Sequence, residues 1–431
     1  MAGTDLMTHS QIILRPDPSR TVVRPFEPGD PDGFANGHSR VSRIADRVLT
    51  LDEAHLREEL GRITDSFANR GIDSEQVLLR RFESVDDLAI DRANISHLQK
   101  LVIGGYFCEE YSFEAAALFN PSVVLSHDQS GLPDDTIRFV MSLRGIGEGH
   151  VSSVTFRTGT WTIGGDVTID DPGTGGIAPQ VERTEGEGET QTVYMNCGGT
   201  RSVSETVLFP TTPSQRQGIE DLRLVSFQEE DGSISHLGTY TAFNGMVARS
   251  EMLRVGPDFH SFEMHPMQGA AAGSKGMALF PRKINGRYAM LGRQDNENVW
   301  YLTSDDLLRW ETGEKIIPPR FSWEFVQMGN CGSPIEIDEG WLVLTHGVGS
   351  VRNYCIGASL LDKDDPTKLI KRMELPLVHP SPKERDGYVP NVVYSCGGLV
   401  RNRTLLLPYG VADSFTTFAT ASIDDMLDAM V

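Results

Sequence analysis

The sequence predicts a mainly β protein, a five-bladed β-propeller preceded by a small helical region. From Tyr106 onward, short β-branched or aromatic runs alternate with turns rich in Gly, Asn and Asp. One strand-turn-strand pattern recurs five times at intervals of 101, 60, 53 and 57 residues, with these anchors: Asn120, Asp221, Pro281, Pro334 and Asn391. Four-stranded blades repeat every ~40 to 50 residues and lengthen when loops are inserted, so five units predict five blades. Two packed sheets are the main alternative.

The chain before the repeats divides into two parts. Residues 1–41 are rich in Pro, Gly and Asp and are expected to form an extended or partly disordered arm. Residues 42–105 have helical character, since Thr50 and Glu53 have the spacing of a capping box and apolar residues follow at near-helical intervals. The predicted domains are therefore 1–41, 42–105 and, for the propeller, 106–431.

Composition limits the partners. The chain has 431 residues, 39% of them hydrophobic and 23% charged, which is enough for one large domain or for two. A net charge of -21 argues against nucleic acid or an anionic membrane as a partner, and it is compatible with a sugar or another small polar ligand. No segment reaches the ~20 apolar residues of a membrane span, and we expect a soluble, cytoplasmic protein.

The cysteines and acidic runs do not indicate a metal. Five widely spaced cysteines without a CxxC pair predict neither a zinc site nor a disulfide framework, and reduced cytoplasmic thiols are the default. The segment "LLDKDDPTKL" lacks the spaced ligands of a calcium loop. We expect no metal requirement, and the sequence leaves a homo-oligomeric state open.

In a propeller the innermost strands end at one central funnel, where polar residues distant in sequence converge. The segment "QGIEDLRLVSF" places two acids and an arginine at the mouth of an apolar strand. We expect Asp221 to face the funnel, and Glu220 to face the other side of the strand and hold Arg223. An acid in a turn is more often a backbone cap, but similar positions in the other repeats also carry polar residues. These are Asn120, Arg144, Lys275, His346 and Asp413.

Several segments resemble glycoside hydrolase family 130, the mannoside phosphorylases and related β-mannosidases. "GIEDLR" is similar to the family's Glu-Asp-Pro-Arg motif, with Leu222 in place of proline, and "KGMALFPRKINGRYAML" is similar to its Lys-Asp-x-x-Leu-Phe-Pro segment. The C-terminal part, from "GWLVLTHGV" to "LPYGVAD", is similar almost element by element. The resemblance covers about 106 to 431 and implies a five-bladed propeller that acts on β-mannosides.

The resemblance also implies roles for individual residues. Asp221 matches the family's proton donor, which acts indirectly through the 3-hydroxyl of the mannose in subsite -1, and a dry pocket that raises the pKa of the acid would suit that work. Asn120, Arg144, Tyr409 and Asp413 match the sugar-binding side. Together they imply a carbohydrate substrate.

A second implied group concerns the nucleophile. Attack by water requires an acid and a base, whereas attack by phosphate requires the acid and cations that bind the anion. The residues that stand where the family places its anion side are Arg223, Lys275, His346 and Tyr354. Arg249 is a further candidate. The interpretation we favour is phosphorolysis, with inorganic phosphate as co-substrate and no other cofactor.

Two departures from the family pattern keep alternatives open. Gly292 stands before Arg293 where phosphorylases often have histidine, and Gly276 replaces the aspartate after Lys275. Hydrolysis of a β-mannoside is therefore the alternative, and Glu148 is then the nominated base. A non-catalytic sugar-binding propeller is the second alternative, because it would need the same funnel without a group of shifted pKa.

Overall fold

The computed structural model describes residues 6–30, 38–68, 73–86, 88–198, 200–381 and 387–431. These residues form a mainly β protein, as predicted. Residues 1–5 and 31–37 of the predicted N-terminal arm lie outside the described ranges.

Most of the helix precedes the strand-rich part. The α-helices are α1 (Arg40–Leu49), α2 (Glu53–Ser66), α3 (Ser74–Ser84), α4 (His97–Tyr106) and α5 (Ile423–Ala429). The predicted capping box at Thr50 is wrong, because the N-cap of α2 is Asp52, whose side chain accepts from the His55 N–H at 3.0 Å, while Thr50 closes the end of α1. None of the helices in the described ranges combines the length and hydropathy of a membrane span.

The strands follow in chain order. The first ten are β1 (Thr8–Leu14), β2 (Thr21–Pro25), β3 (Cys108–Ser112), β4 (Ala117–Leu125), β5 (Thr136–Ile146), β6 (Ser152–Thr162), β7 (Val167–Ile169), β8 (Gly175–Gly176), β9 (Gln180–Glu185) and β10 (Thr192–Asn196). The next nine are β11 (Val207–Leu208), β12 (Gly218–Gln228), β13 (Ile234–Phe243), β14 (Ala248–Val255), β15 (Ser261–Pro266), β16 (Ala278–Leu279), β17 (Tyr288–Gly292), β18 (Val299–Ser304) and β19 (Gly313–Ile317). The last nine are β20 (Gln327–Asn330), β21 (Ile335–Ile337), β22 (Gly340–Val348), β23 (Tyr354–Leu361), β24 (Leu369–Arg372), β25 (Val393–Tyr394), β26 (Leu399–Arg401), β27 (Thr404–Val411) and β28 (Phe415–Ser422).

The chain packs as two compact units. The larger comprises Met1–Ser19, Phe113–Gly173 and Pro179–Val431, and the smaller comprises Arg20–Ser112 and Thr174–Ala178. In the smaller unit, α1 to α4 enclose an apolar cluster, and β2 pairs antiparallel with β3 and parallel with β8.

In the described residues of the larger unit, the antiparallel strands fall into five sets, of which the first two are parts of one 11-stranded sheet. They are β4-β5-β6-β7, β12-β13-β14-β15, β16-β17-β18-β19, β20-β22-β23-β24 and β25-β27-β28-β1. The first two sets meet through one parallel contact between Ser152 and Gly218. The second set is extended by β10 and β9.

Apolar clusters lie between successive sets because alternate residues of a strand face opposite sides of its sheet. Val124 packs in a cluster with residues of the second set, whereas its neighbour Val123 packs with residues of the fifth. Three further clusters join the second set to the third, the third to the fourth and the fourth to the fifth. Each set is therefore buried on both faces, as the nearly continuous burial along β4 and β22 illustrates.

The N-terminal strand belongs to the last set. β1 pairs antiparallel with β28, Thr8 opposite Thr420 and Leu14 opposite Thr416, and the Thr417 hydroxyl donates to the Ile12 carbonyl at 2.8 Å. Met7, just before β1, is 4% exposed and packs in the cluster between the fourth and fifth sets. Residues from both ends of the sequence thus share one core.

We expect Met7→Ala to lower the free energy of unfolding by about 2 to 5 kcal/mol, because it opens a cavity in that core. The neighbouring exposed residue supplies the control, since Thr8→Ala should change it by no more than about 0.5 kcal/mol. Urea denaturation followed by tryptophan fluorescence measures both. Equal effects of the two substitutions would show that the N-terminal segment does not contribute to the core.

Candidate active site

Two matching bulges bring the first two site residues together. In β4 two residues, Asn120 and Pro121, lie between the pairs at Phe119 and Ser122, and β12 has the same irregularity after Glu220. Asn120 and Asp221 adopt left-handed backbone conformations with φ of 50° and 53°, which Asn and Asp tolerate better than most residues. The Asn120 amide consequently donates to Asp221 Oδ1 at 2.7 Å.

Arg144 on β5 joins both acids of the "IEDL" segment. Its Nη2 lies 2.6 Å from Glu220 Oε1 and its Nη1 3.4 Å from Asp221 Oδ1, while its Nε donates to the Ser152 hydroxyl at 2.9 Å. Glu220 therefore holds Arg144, and the prediction that it holds Arg223 is wrong. The bulge is the physical reason, because it interrupts the alternation that would send adjacent side chains to opposite faces.

The pKa values of Glu220 and Asp221 are shifted in opposite directions. Burial raises the pKa of Glu220, and the Asp221 charge adds to that effect against the attraction of Arg144. Burial also opposes ionisation of Asp221, but Arg144, Arg223 and the Asn120 hydrogen bond outweigh it, so the pKa of Asp221 is lowered. Asp221 thus ionises more readily than an ordinary aspartate, whereas a raised pKa would suit a general acid.

Asp413 is the third acid whose charge acts on Arg144. It follows Ala412 in the turn between β27 and β28, and both residues are left-handed, with φ of 49° and 51°. Burial and the negative charge of Asp221 raise the pKa of Asp413 to about 6, against the attraction of Arg144 and Arg352. Asp413 thus retains a proton closer to neutrality than an ordinary aspartate.

A cationic side adjoins the acids. The Arg223 guanidinium is buried and donates to the Asp221 carbonyl at 3.1 Å and to the Tyr394 hydroxyl at 2.9 Å. The Arg293 guanidinium, also buried, lies 3.1 Å from His346 Nε2 and donates to the Lys275 carbonyl at 3.2 Å. The two guanidiniums belong to different strand sets, and the charges of both act on His346 and on Tyr394.

Aromatic rings lie beside these guanidiniums. The His346 ring is parallel to the Tyr354 ring, with 6.2 Å between centroids, and lies 5.0 Å from the Tyr394 ring. Sequence reasoning gave Tyr394 no role, although it lies in the "VPNVVYSCG" segment that resembles the family. Its position beside Arg223 could have been inferred only from the packing of β25 with strands distant in sequence, such as β23.

Two glycines make room for Arg293. A Cβ at Gly276, where φ is 90°, would lie 2.6 Å from Arg293 Nε, and a Cβ at Gly329 would lie 2.6 Å from His346 Cε1 and 3.1 Å from Arg293 Cδ. Gly276 is one of the departures noted in the sequence. The structure gives it a function, because any larger residue would displace this guanidinium.

His346 is a neutral member of this group. Burial, together with the charges of Arg293 and Arg223, lowers the pKa of His346 well below its usual value. Since a guanidinium can only donate, Nε2 accepts from Arg293 and the proton resides on Nδ1. His346 therefore accepts from Arg293 and adds no positive charge.

The remaining predicted residues differ in placement. Lys275 is exposed, and its charge acts on both Glu220 and Asp221. Tyr409 packs in the cluster between the fourth and fifth sets, and its hydroxyl lies 3.0 Å from His9 Nδ1. The residue of β27 that lies against Asn120 is its neighbour, Gly410. These contacts do not support a place for Tyr409 on the sugar side.

Two other candidates are not brought to the acids. Arg249 donates to the Met267 carbonyl at 2.7 Å and lies 3.7 Å from Glu189 and 3.9 Å from Glu251, so carboxylates already offset its charge. Glu148 is exposed in the turn between β5 and β6. In the described ranges no group of three or more His, Cys, Asp or Glu is arranged to hold a metal ion.

Comparison with known proteins adds a family match. A sequence model of a family described as beta-1,4-mannooligosaccharide phosphorylase matches residues 200–431, more than half of the chain. A 1,2-beta-oligomannan phosphorylase of Thermoanaerobacter sp. is 39% identical over 155 residues, which are 36% of this chain and 52% of that protein. A beta-1,2-mannobiose phosphorylase of Listeria innocua is 32% identical over 229 residues, 51% of this chain and 62% of that protein. The matches thus span about half to three-fifths of these relatives.

A solved structure shares the fold. The beta-1,2-mannobiose phosphorylase from Listeria innocua, in complex with beta-1,2-mannobiose, superposes with a TM-score of 0.52 at 20% identity. The superposition covers 74% of this chain and 92% of that one.

The pKa of Asp413 gives a pH-dependent prediction. Because the folded state favours protonated Asp413, this group's contribution to stability is full below about pH 4 and is lost as the pH rises through about 6. Asp413→Asn should therefore stabilise the protein by about 1 to 3 kcal/mol at pH 7.5. The gain should vanish near pH 4. Thermal melting from pH 4 to 8 measures this, and a pH-independent difference would contradict it.

Proposed function

Because the chain belongs to glycoside hydrolase family 130, we propose that it cleaves β-mannosides by inverting phosphorolysis and releases mannose 1-phosphate. The substrates would be short manno-oligosaccharides and inorganic phosphate. The named relatives are mannoside phosphorylases, which supports this reaction class.

One observation carries the choice of phosphate over water. Arg223 and Arg293 are both buried, and within 4.0 Å neither guanidinium meets a side-chain carboxylate of the described residues. A buried cation without an anion is costly unless a ligand supplies the negative charge. In a chain of net charge -21, two such cations, whose charges both act on His346 and Tyr394, favour an anionic substrate.

The acids fit the same proposal. Glu220 and Asp221 contact one guanidinium, that of Arg144, whereas an inverting hydrolase needs its acid and base on opposite faces of the sugar. Asp221 would be the acid, and Asn120, Arg144 and Asp413 would bind the mannosyl unit. The proton would reach the glycosidic oxygen through the 3-hydroxyl of that unit, as the family resemblance implies.

Binding of phosphate, the second substrate, would reconcile the lowered pKa of Asp221 with a role as general acid. Part of the lowering comes from the positive charge of Arg223. A phosphate bound to Arg223 would offset that charge and so raise the pKa of Asp221. We expect Asp221 to acquire its proton when the anion binds, so that the general acid is ready only when the nucleophile is present.

The finer fold is also a proposal, a five-bladed propeller over residues 106–431 that β1 helps to close. Neighbouring sets adjoin in a cycle: β4 beside β12, β13 beside β16, β17 beside β20, β23 beside β25, and β27 beside β4. The five shared apolar clusters support the same cycle. A ring of this kind directs its inner strands at one funnel.

The reaction class is tested by incubating the protein with β-1,2- and β-1,4-mannobiose, with and without phosphate, and identifying the products. We expect mannose 1-phosphate only when phosphate is present and an unchanged rate in the presence of a chelator. Asp221→Asn should lower turnover by at least ~100-fold, the scale of a lost general acid. Phosphate-independent release of mannose would favour hydrolysis, and binding without turnover would favour a sugar-binding protein.

The anion site is tested at Arg293. Arg293→Met should raise the KM for phosphate by about 10- to 150-fold, the effect of losing a charge-assisted hydrogen bond, and should change the KM for the mannoside little. Arg372→Met is the matched control, because Arg372 is equally buried but is paired with Glu324 at 2.6 Å. That control should lower the melting temperature and leave the KM for phosphate unchanged. Equal KM values in the two variants would remove Arg293 from the anion site.

A further inference from the structure

The turn between β5 and β6 has a strained tip. Gly149 and His150 adopt left-handed conformations with φ of 70° and 56°. Histidine is seen in this region more often than most residues, but it is still uncommon there. Strain of this kind persists where surrounding contacts hold it, and it is frequent at ligand sites.

The contact at this tip is aromatic. The His150 ring lies against the Tyr388 ring, with 5.8 Å between centroids and 33° between planes. Tyr388 is 64% exposed, and His150 is exposed as well. A pair that served only to pack the turn would bury these rings, whereas this pair keeps ring surface open to solvent.

Both members are tied to the candidate active site. Ser152, two residues after His150, accepts from Arg144, which contacts Asp221. On the other side, Gly387 lies against Ala412, and the Val389 N–H donates to the Ala412 carbonyl at 2.9 Å. The residue after Ala412 is Asp413. Only a few residues thus separate the ring pair from Arg144 and from Asp413.

We propose that His150 and Tyr388 form a subsite for the sugar ring on the far side of the bond that is cleaved. This inference rests on the proposed function, because it takes the mannosyl unit at Asp221 as its neighbour. The C–H face of a pyranose is apolar and weakly positive, and the face of an aromatic ring is apolar and negative, so the two stack. The pair would then strengthen binding of any substrate with two or more mannose units and leave the binding of a single mannosyl unit unchanged.

Binding can be measured without any reaction. In an Asp221→Asn background, calorimetry with mannotriose of the preferred linkage should show affinity about 3- to 10-fold weaker for Tyr388→Ala than for the parent. Tyr388→Phe keeps the ring and should bind like the parent. Ile234→Ala is the control. Ile234 is also exposed, but it pairs with Gln228 at the end of β12 that is distant from Glu220 and Asp221. Mannose 1-phosphate, which has no second sugar ring, should bind the parent and Tyr388→Ala equally.

The outcomes separate this proposal from the previous one. Equal affinity of Tyr388→Ala and the parent for mannotriose would overturn the subsite, and so would equal losses in the Ala and Phe variants. Weaker binding confined to Tyr388→Ala would support it even if the enzyme released mannose without phosphate. In that case the subsite would stand and phosphorolysis would fall.

Discussion

The candidate site depends on two residues held in a left-handed backbone conformation at matching bulges. In a regular strand, Glu220 and Asp221 would point to opposite faces, and only one could reach Arg144. The bulge after Glu220 turns Asp221 so that both acids contact that arginine, and the equivalent bulge at Asn120 brings an amide to the same carboxylate. The neighbouring strands supply the contacts that hold these conformations in place.

Charge is distributed unevenly around these bulges. Arg144 is surrounded by carboxylates, and the three acids near it compete for protons, so that Glu220 and Asp413 retain theirs more readily than Asp221. Arg223 and Arg293 lie on the other side, among neutral groups such as Tyr394 and His346. This division of charge is the basis for the proposed sugar-binding and phosphate-binding sides.

The sequence predicts the strand-rich fold and several of the site residues, but not every contact in the site. Repeated apolar runs and turns predict the strand-rich fold because burial on both faces leaves a continuous apolar signal. The polar residues at strand ends predict that Asn120, Arg144 and Asp221 meet. A bulge adds one residue to a strand without a distinctive pattern, so the direction of Glu220 could not be predicted. The neutral state of His346 and the packing of Tyr409 between the fourth and fifth sets depend on neighbours from other strand sets, which no local spacing reveals.

The pairing of β1 with β28 also affects how the protein folds. The Ile12 carbonyl and the Thr417 hydroxyl that bonds to it are 405 positions apart in the chain. A contact of such long range closes a very large loop, and it can form only after nearly all of the sequence is available. During synthesis β1 must therefore remain unpaired while the intervening sheets assemble. Joining the two ends by a short linker and opening the chain at another exposed turn would convert this late contact into an early, local one.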